Sequence, residues 1–176
     1  MAIQRTDATD DMKLIITDTN VFFDIISIDA LPEFFALDFD ICTTDFVCKE
    51  IFESSQKEQI ESFIRAKKLT VFKLTVEEIE EIQNFPTNRY FKGITDKTVL
   101  WKAYELKCPL LTGDKKLRNE AENLKIEVHG SIWVIIALVE KEIISNVKGV
   151  ELLDKLKLIN ASLPHDDIDK LIKRLK

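Results

Sequence analysis

Four carboxylates stand where a chain of 176 residues could use them together. Asp18 ends the apolar run Leu-Ile-Ile-Thr, and Asp114 follows Leu-Leu-Thr-Gly. Such short runs read as strands, and in an open α/β sheet ligands bind outside the carboxyl ends of the strands, so both acids are directed at one crevice. Asp96 opens a helical pattern that leads into the run ending at Asp114. Glu50 falls midway along a helical pattern after the second strand, among apolar Phe46, Val47, Ile51 and Phe52; an acid in those surroundings needs a partner. Each has an ordinary role when taken alone. Asp18 and Asp114 suit helix caps or turns, Asp96 suits the positive end of a helix dipole, and Glu50 suits a solvated helix. Brought to one crevice they repel each other and raise each other's pKa, and a divalent cation resolves that conflict. Oxygen-only donors favour Mg²⁺ or Mn²⁺ over zinc.

Composition removes the competing chemistries. The four glycines, Gly93, Gly113, Gly130 and Gly149, lie in no phosphate-cradling loop or dinucleotide fingerprint. Two histidines, His129 and His165, cannot supply a three-histidine zinc site, and neither a His-Glu-x-x-His pair nor a glycine-flanked nucleophilic serine occurs. Cys42, Cys48 and Cys108 are odd in number and widely spaced, which indicates neither a disulfide framework nor a zinc ribbon and fits a reducing compartment. The surplus is carboxylate, 31 acidic against 25 basic residues for a net charge of −6. With no apolar run of the roughly 18–20 residues needed to cross a bilayer, and a polar start unlike a signal sequence, the chain reads as cytoplasmic, without a membrane partner.

The elements that must position the acids alternate. Residues 1–11 lack hydrophobic periodicity and read as a disordered leader or expression remnant; 12–176 read as one domain. Strands are expected over 13–17, 39–43, 69–74, 109–112 and 126–128. Helices are expected over 29–36, 45–53, 56–67, 75–82, 95–106, 115–124 and 131–139, with Thr75–Glu78 as a capping box and Thr95 as a cap. Residues 84–93 read as loop, and 146–158 with 164–175 as a C-terminal helical hairpin (about 146–176). Strands separated by helices imply βαβ units: an α/β fold, a three-layer α/β/α sandwich around a central, mostly parallel sheet of about five strands.

Asp18-Thr19-Asn20 after the first strand, Glu50, Asp96 opening a later helix, and Thr112-Gly113-Asp114 after the fourth strand together resemble the PIN-domain ribonucleases, in order and in spacing. The stretch from Leu110 to Ile135, with Thr-Gly-Asp-Lys-Lys-Leu-Arg, Val-His-Gly and Ile-Trp, is similar to the closing half of that family, and the resemblance covers about residues 12–139. It implies a PIN-like fold and metal-dependent hydrolysis of RNA phosphodiester bonds, either by the toxin of a toxin–antitoxin pair or by a housekeeping RNA-processing enzyme. Asp18, Glu50, Asp96 and Asp114 would then be catalytic and hold Mg²⁺ or Mn²⁺, Glu50 orienting water or completing a second metal site. Asn20 and Thr112 would donate hydrogen bonds that fix the carboxylates, or serve as a turn residue and a strand-end residue. Many toxins of the family carry a further acid two residues after the last; here that position is Lys116.

Basic residues beside the acids, Arg89 and Lys92 before Asp96 and Lys115 and Lys116 after Asp114, with Lys97 and Arg118 close by, would bind substrate or form an ordinary solvated helix face. Tyr90 and Phe91 suit either stacking on an unpaired base or a place in the core. The acidic balance suits a short single-stranded RNA rather than a duplex. An antitoxin protein and a homodimer are the other expected partners. The dimer is expected from the family and from the apolar surface of residues 22–39 and 131–139. Two further readings stand beside the nuclease. One is a catalytically inactive PIN-like module that binds RNA or protein, favoured by Lys116. The other is a different α/β phosphohydrolase, disfavoured because Asp-Thr-Asn lacks the second Asp that a haloacid-dehalogenase-type phosphatase uses as its acid.

Overall fold

The computed structural model describes residues 13–51 and 53–176. The expectation for the leader over 1–11 and the core placement of Phe52 lie outside these residues. Among them the chain forms β1 (Leu14–Thr17), α1 (Thr19–Ser27), α2 (Leu31–Phe34), β2 (Asp40–Thr44), α3 (Asp45–Glu50), α4 (Ser54–Arg65), β3 (Thr70–Phe72), α5 (Val76–Asn84) and α6 (Ile94–Leu106). It continues through β4 (Leu110–Leu111), α7 (Lys115–Asn123), β5 (Val128–His129), α8 (Ser131–Glu140), α9 (Asn146–Ile159) and α10 (His165–Leu175).

The sheet has the order β3-β2-β1-β4-β5, with every pairing parallel. From β1 the chain steps outward to β2 and β3, then returns across the sheet to β4 and steps outward again to β5. Right-handed crossovers place α1 to α4 on one face, and α5, α6 and α7 on the other. Accordingly α6 packs on β1, β2 and β4, while α8 and α9 pack on α1, and α10 on α9. The α/β/α layering is therefore as the sequence implied, and the sheet is wholly parallel. Both faces are covered, and β1 and β2 are correspondingly almost continuously buried.

Three local expectations are corrected. Residues 19–27 form a helix that the sequence reading did not assign, while the helix expected over 29–36 shrinks to the single turn of α2, with Pro32 in its first turn. The helix after β2 ends at Glu50, so Glu50 is terminal rather than midway. Thr95 is not a cap: Gly93 holds that position and Thr95 is buried inside the first turn of α6. The capping box of Thr75 and Glu78 is present as expected.

Much of the apolar surface over 22–39 and 131–139 is buried within the chain, while Phe23, Phe39, Ile132, Trp133 and Ile136 are only partly buried. Phe22, Phe34 and Phe35 are at most 6% exposed, and Val134, Ile135 and Leu138 of α8 are fully buried. One buried cluster runs from Ile15 to Ile172. Asp24, buried in α1, accepts hydrogen bonds from Ser131 Oγ at 2.6 Å and Asn160 Nδ2 at 3.1 Å, tying α1 to α8 and to the end of α9. Burial pushes its carboxyl pKa up, and these bonds oppose the shift.

Candidate functional site

β1 and β4 are adjacent, and between them the chain changes the direction in which it adds strands. A crevice opens at the carboxyl ends of two such strands. Asp18 follows β1 and Asp114 follows β4, so the strand order itself brings these two acids together. Each is also a helix cap. Asp18 accepts from the Asn20 backbone N–H at the start of α1, and Asp114 Oδ1 accepts from the Leu117 N–H at 2.8 Å. Capping and a place at the strand ends, alternatives in sequence, coincide here because each helix begins where its strand stops.

Thr112, fully buried, joins the two acids. Its hydroxyl donates to Asp18 Oδ2 and accepts from the Asp114 backbone N–H at 3.0 Å. Asn20 contributes differently from the expectation: its backbone N–H holds Asp18 while its side chain is exposed. Asp96 is the third residue of α6, and its carboxylate folds back over the cap, where a Cβ on Gly93 would meet Asp96 Oδ2 at 2.9 Å. Glu50 is exposed at the rim, yet Thr19 Oγ1 donates to its Oε2 at 2.8 Å, which ties it to the residue after Asp18.

These acids act on one another through their charges. Asp18 is 3% exposed, and burial pushes its pKa up to about 7; the bonds from Thr112 and Asn20 lower it, while the charges of Asp96 and Asp114 raise it further. Asp96 is pushed up to about 6, first by burial, then by Asp114 and Glu50. Among the described residues none of the four acids forms an ion pair with Lys, Arg or His. Nor, among those residues, do any three His, Cys, Asp or Glu side chains stand as a complete ion-binding set. An open group of uncompensated oxygen donors still fits Mg²⁺ or Mn²⁺, since Mg²⁺ keeps several waters and is usually bound through one or two carboxylates plus substrate phosphates.

A pH prediction follows from the raised acids. Asp18 has a folded pKa of about 7 against 3.8 for the free side chain, so between those values the folded state binds more protons than the unfolded one. Stability of the metal-free protein therefore falls as pH rises from about 4 to about 7, by a few kcal/mol at most, and is flat above. Melting curves in chelator should show a lower Tm at pH 8 than at pH 5, and Mn²⁺ should raise Tm more at pH 8. Equal metal-free Tm values would contradict the buried, clustered carboxylates.

The basic residues divide. Lys115 and Lys116 are the exposed first residues of α7, and Arg89 and Lys92 are exposed in the segment before α6. Arg118 is structural: it donates to the carbonyls of Thr112 at 3.3 Å and Val128 at 3.4 Å, linking β4 to β5. Phe91 is 5% exposed and belongs to the core, whereas Tyr90 is 70% exposed. His129 stacks on Trp133 at 4.1 Å and contacts Glu127 at 2.7 Å. Cys48 is half-buried, and burial first of all pushes the thiols of Cys42, Cys48 and Cys108 up to about 11, which leaves them inert.

The sequence reading missed the threonines that brace the site. Thr98 on α6 donates to the carbonyl of Thr95 at 2.6 Å and meets Thr44 Oγ1 at 2.8 Å, locking the helix of Asp96 onto the end of β2. Thr43 Oγ1 donates to the carbonyl of Thr17 at 2.8 Å, beside Asp18. Thr at the ends of β1 and β2, with Thr95 and Thr98 at i and i+3 of α6, is the signal that carried this. A cavity of about 700 Å³ between α5 and α6, lined by residues such as Glu77, Phe85 and Tyr104, includes none of the four acids.

No curated protein matches the chain. A solved structure of a PilT N-terminus domain protein from the hyperthermophilic archaeon Sulfolobus solfataricus P2 is 12% identical, with a TM-score of 0.46 over 72% of this chain and 94% of that one. Residues 14–176 match the family DUF3368, a PIN domain. That match spans the sheet and every acid of the crevice, so the chain belongs to the PIN-domain family.

Proposed function

We propose that this protein is a divalent-metal-dependent endoribonuclease that hydrolyses phosphodiester bonds of single-stranded RNA. PIN domains are generally nucleases, and the observation that supports the finer reading is that Asp18 and Asp114 follow the adjacent strands β1 and β4 while the charges of Asp96 and Asp114 raise the pKa of Asp18, with no cationic partner for these acids among the described residues. Asp96 and Asp114 would hold Mg²⁺ or Mn²⁺, with Asp18 as the buried third acid. The cation supplies Lewis acidity to water and neutralises charge developing on the phosphoryl oxygens. Thr112 keeps Asp18 and Asp114 in fixed relation, and Glu50 at the rim is placed to orient water or complete a second metal site. Lys115 and Lys116 take the phosphates that lead into the crevice, and Arg89 and Lys92 those beyond it.

Incubation of purified protein with mixed RNAs, Mg²⁺ or Mn²⁺, with and without chelator, tests this. Internal cleavage lost on chelation is expected; intact RNA under every metal condition would overturn it. A catalytically inactive module that binds RNA or protein is the second reading, favoured by Lys116 in place of a further acid; binding without cleavage would establish it. A toxin role, with an antitoxin protein as partner, belongs to the same proposal, as do a cytoplasmic location and a homodimer. No helix among the described residues is long and apolar enough to cross a membrane.

A further inference from the structure

Between α7 and the segment before α6 lies a cavity of about 300 Å³ whose walls are mostly amide and aromatic, at the small end of the range for ligand sites. Lys116, Asn119, Glu120 and Asn123 line one wall. Their spacing of three, four and seven residues puts them on one face of α7. Lys116 stands two residues after the cap Asp114, and Asn123 about 10 Å further along the helix. Asn88 and Tyr90 form the opposite wall. The Asn88 backbone N–H donates to Glu120 Oε2 at 3.1 Å, fastening the two walls and occupying the pocket's one carboxylate. Phe91, nearly buried, supports the segment from within.

The groups left over have a definite chemistry. Asn88 Oδ1 accepts from the Tyr90 N–H at 3.0 Å, which leaves its Nδ2 as a donor. Among the described residues the amides of Asn119 and Asn123 have no protein hydrogen-bond partner, so each offers a donor and an acceptor. Tyr90 is 70% exposed, with the Arg89 guanidinium lying over one face of its ring at 4.6 Å from the centroid, so the stacked pair offers a flat outer face, aromatic on one side and cationic on the other. A lysine stands at the end nearer the acids.

We propose that this cavity is a nucleobase subsite that holds one unpaired base of the RNA strand beside the cleavage crevice. The assignment rests on, and deepens, the ribonuclease reading. A flat aromatic and guanidinium surface stacks any base. Side-chain amides, which donate and accept side by side, match the paired donor and acceptor edges of a base. Lys116 takes the phosphate on the side of Asp114, so the strand enters the crevice in a fixed register. The carboxylates cut, and this cavity selects which nucleotide precedes or follows the cut.

Binding in chelator separates this from catalysis. Labelled hexamers of A, C, G and U are titrated by fluorescence anisotropy with wild-type protein, the double variant Asn119→Ala/Asn123→Ala and Tyr90→Ala, and the same strands are then cleaved in Mn²⁺. All three positions are exposed, so the variants should fold, which circular dichroism checks. The wild type should prefer one base. The double variant should lose that preference, with affinity for the preferred strand falling roughly 5–150-fold, the range of a lost bidentate base contact. Tyr90→Ala should weaken all four strands to a similar degree. Variants that keep the wild-type affinity and base preference overturn the subsite, even if cleavage is normal. Wild-type protein that binds with base preference but never cleaves overturns the nuclease reading and upholds the subsite.

Discussion

Asp18→Asn is expected to abolish metal-dependent RNA cleavage while leaving the melting temperature unchanged or raised. The substitution keeps the shape of the side chain. Its Oδ1 can still accept from the Asn20 N–H and cap α1, and its new amide can donate to Thr112 Oγ1. That hydroxyl then accepts both from the introduced amide and from the Asp114 N–H, instead of donating to a carboxylate. What disappears is a negative charge in a position 3% exposed, one that Asp96 and Asp114 already oppose. Without metal, above about pH 7, that removal relieves both desolvation and repulsion, so stability holds or rises. With metal, a carboxylate of the cluster is gone. Partners one layer further out commonly account for a 10–100-fold effect, so the loss of activity here should be at least about 100-fold. Tm gain should shrink at pH 5, where Asp18 is already protonated in the wild type. Full RNase activity in the variant would refute the site, and a fall in Tm at pH 8 would mean that capping outweighs charge.

The second large effect concerns the helix that was not legible. Phe22 is fully buried at the centre of α1 and meets Phe34 of α2 edge-on, with ring centroids 6.4 Å apart. Phe22→Ala removes the ring from a cluster shared by α1, α2 and the sheet, and a truncation of this kind costs about 3–5 kcal/mol through lost burial and the cavity left behind. For a chain of this size that is a fall in Tm of roughly 6–20 °C, with the denaturant midpoint shifting at constant slope. A fall below about 3 °C would mean that α1 does not carry its inner face against the core as described.

Why α1 escaped the sequence is a matter of pattern. Thr19 to Ser27 is largely apolar, with six of its nine residues buried, and its polar stripe is thin: Asn20 and Ser27 are exposed but Asp24 between them is buried, so the run reads as apolar rather than periodic. Its cap, Asp18, was visible, but as a candidate catalytic acid rather than as the start of a helix. The true length of α2, by contrast, was obscured by neighbouring apolar residues that are buried for tertiary reasons. Tyr90 and Phe91 pose the same problem in miniature: two adjacent aromatics, one 70% and one 5% exposed, which only packing against α7 and the core distinguishes.

The sequence by itself determined what local chemistry dictates. Apolar runs ending in Asp marked Asp18 and Asp114, Thr-Gly-Asp marked the hydroxyl that links them, the capping box marked α5, and alternating strand and helix patterns marked the α/β class. Those features depend on residues a few positions apart. Tertiary structure decided the rest. Asp18 and Asp114 are 96 positions apart in the chain numbering and become neighbours only because the connection from β3 crosses back to lay β4 beside β1. Strand order follows from which faces the helices can cover, through handed crossovers and long-range burial, and no local period encodes it. Likewise Thr19 with Glu50, Thr44 with Thr98, and Asn88 with Glu120 are contacts between segments 31, 54 and 32 residues apart. Their strength lies in burial and in closure of the fold, so they exist only once the sheet has formed.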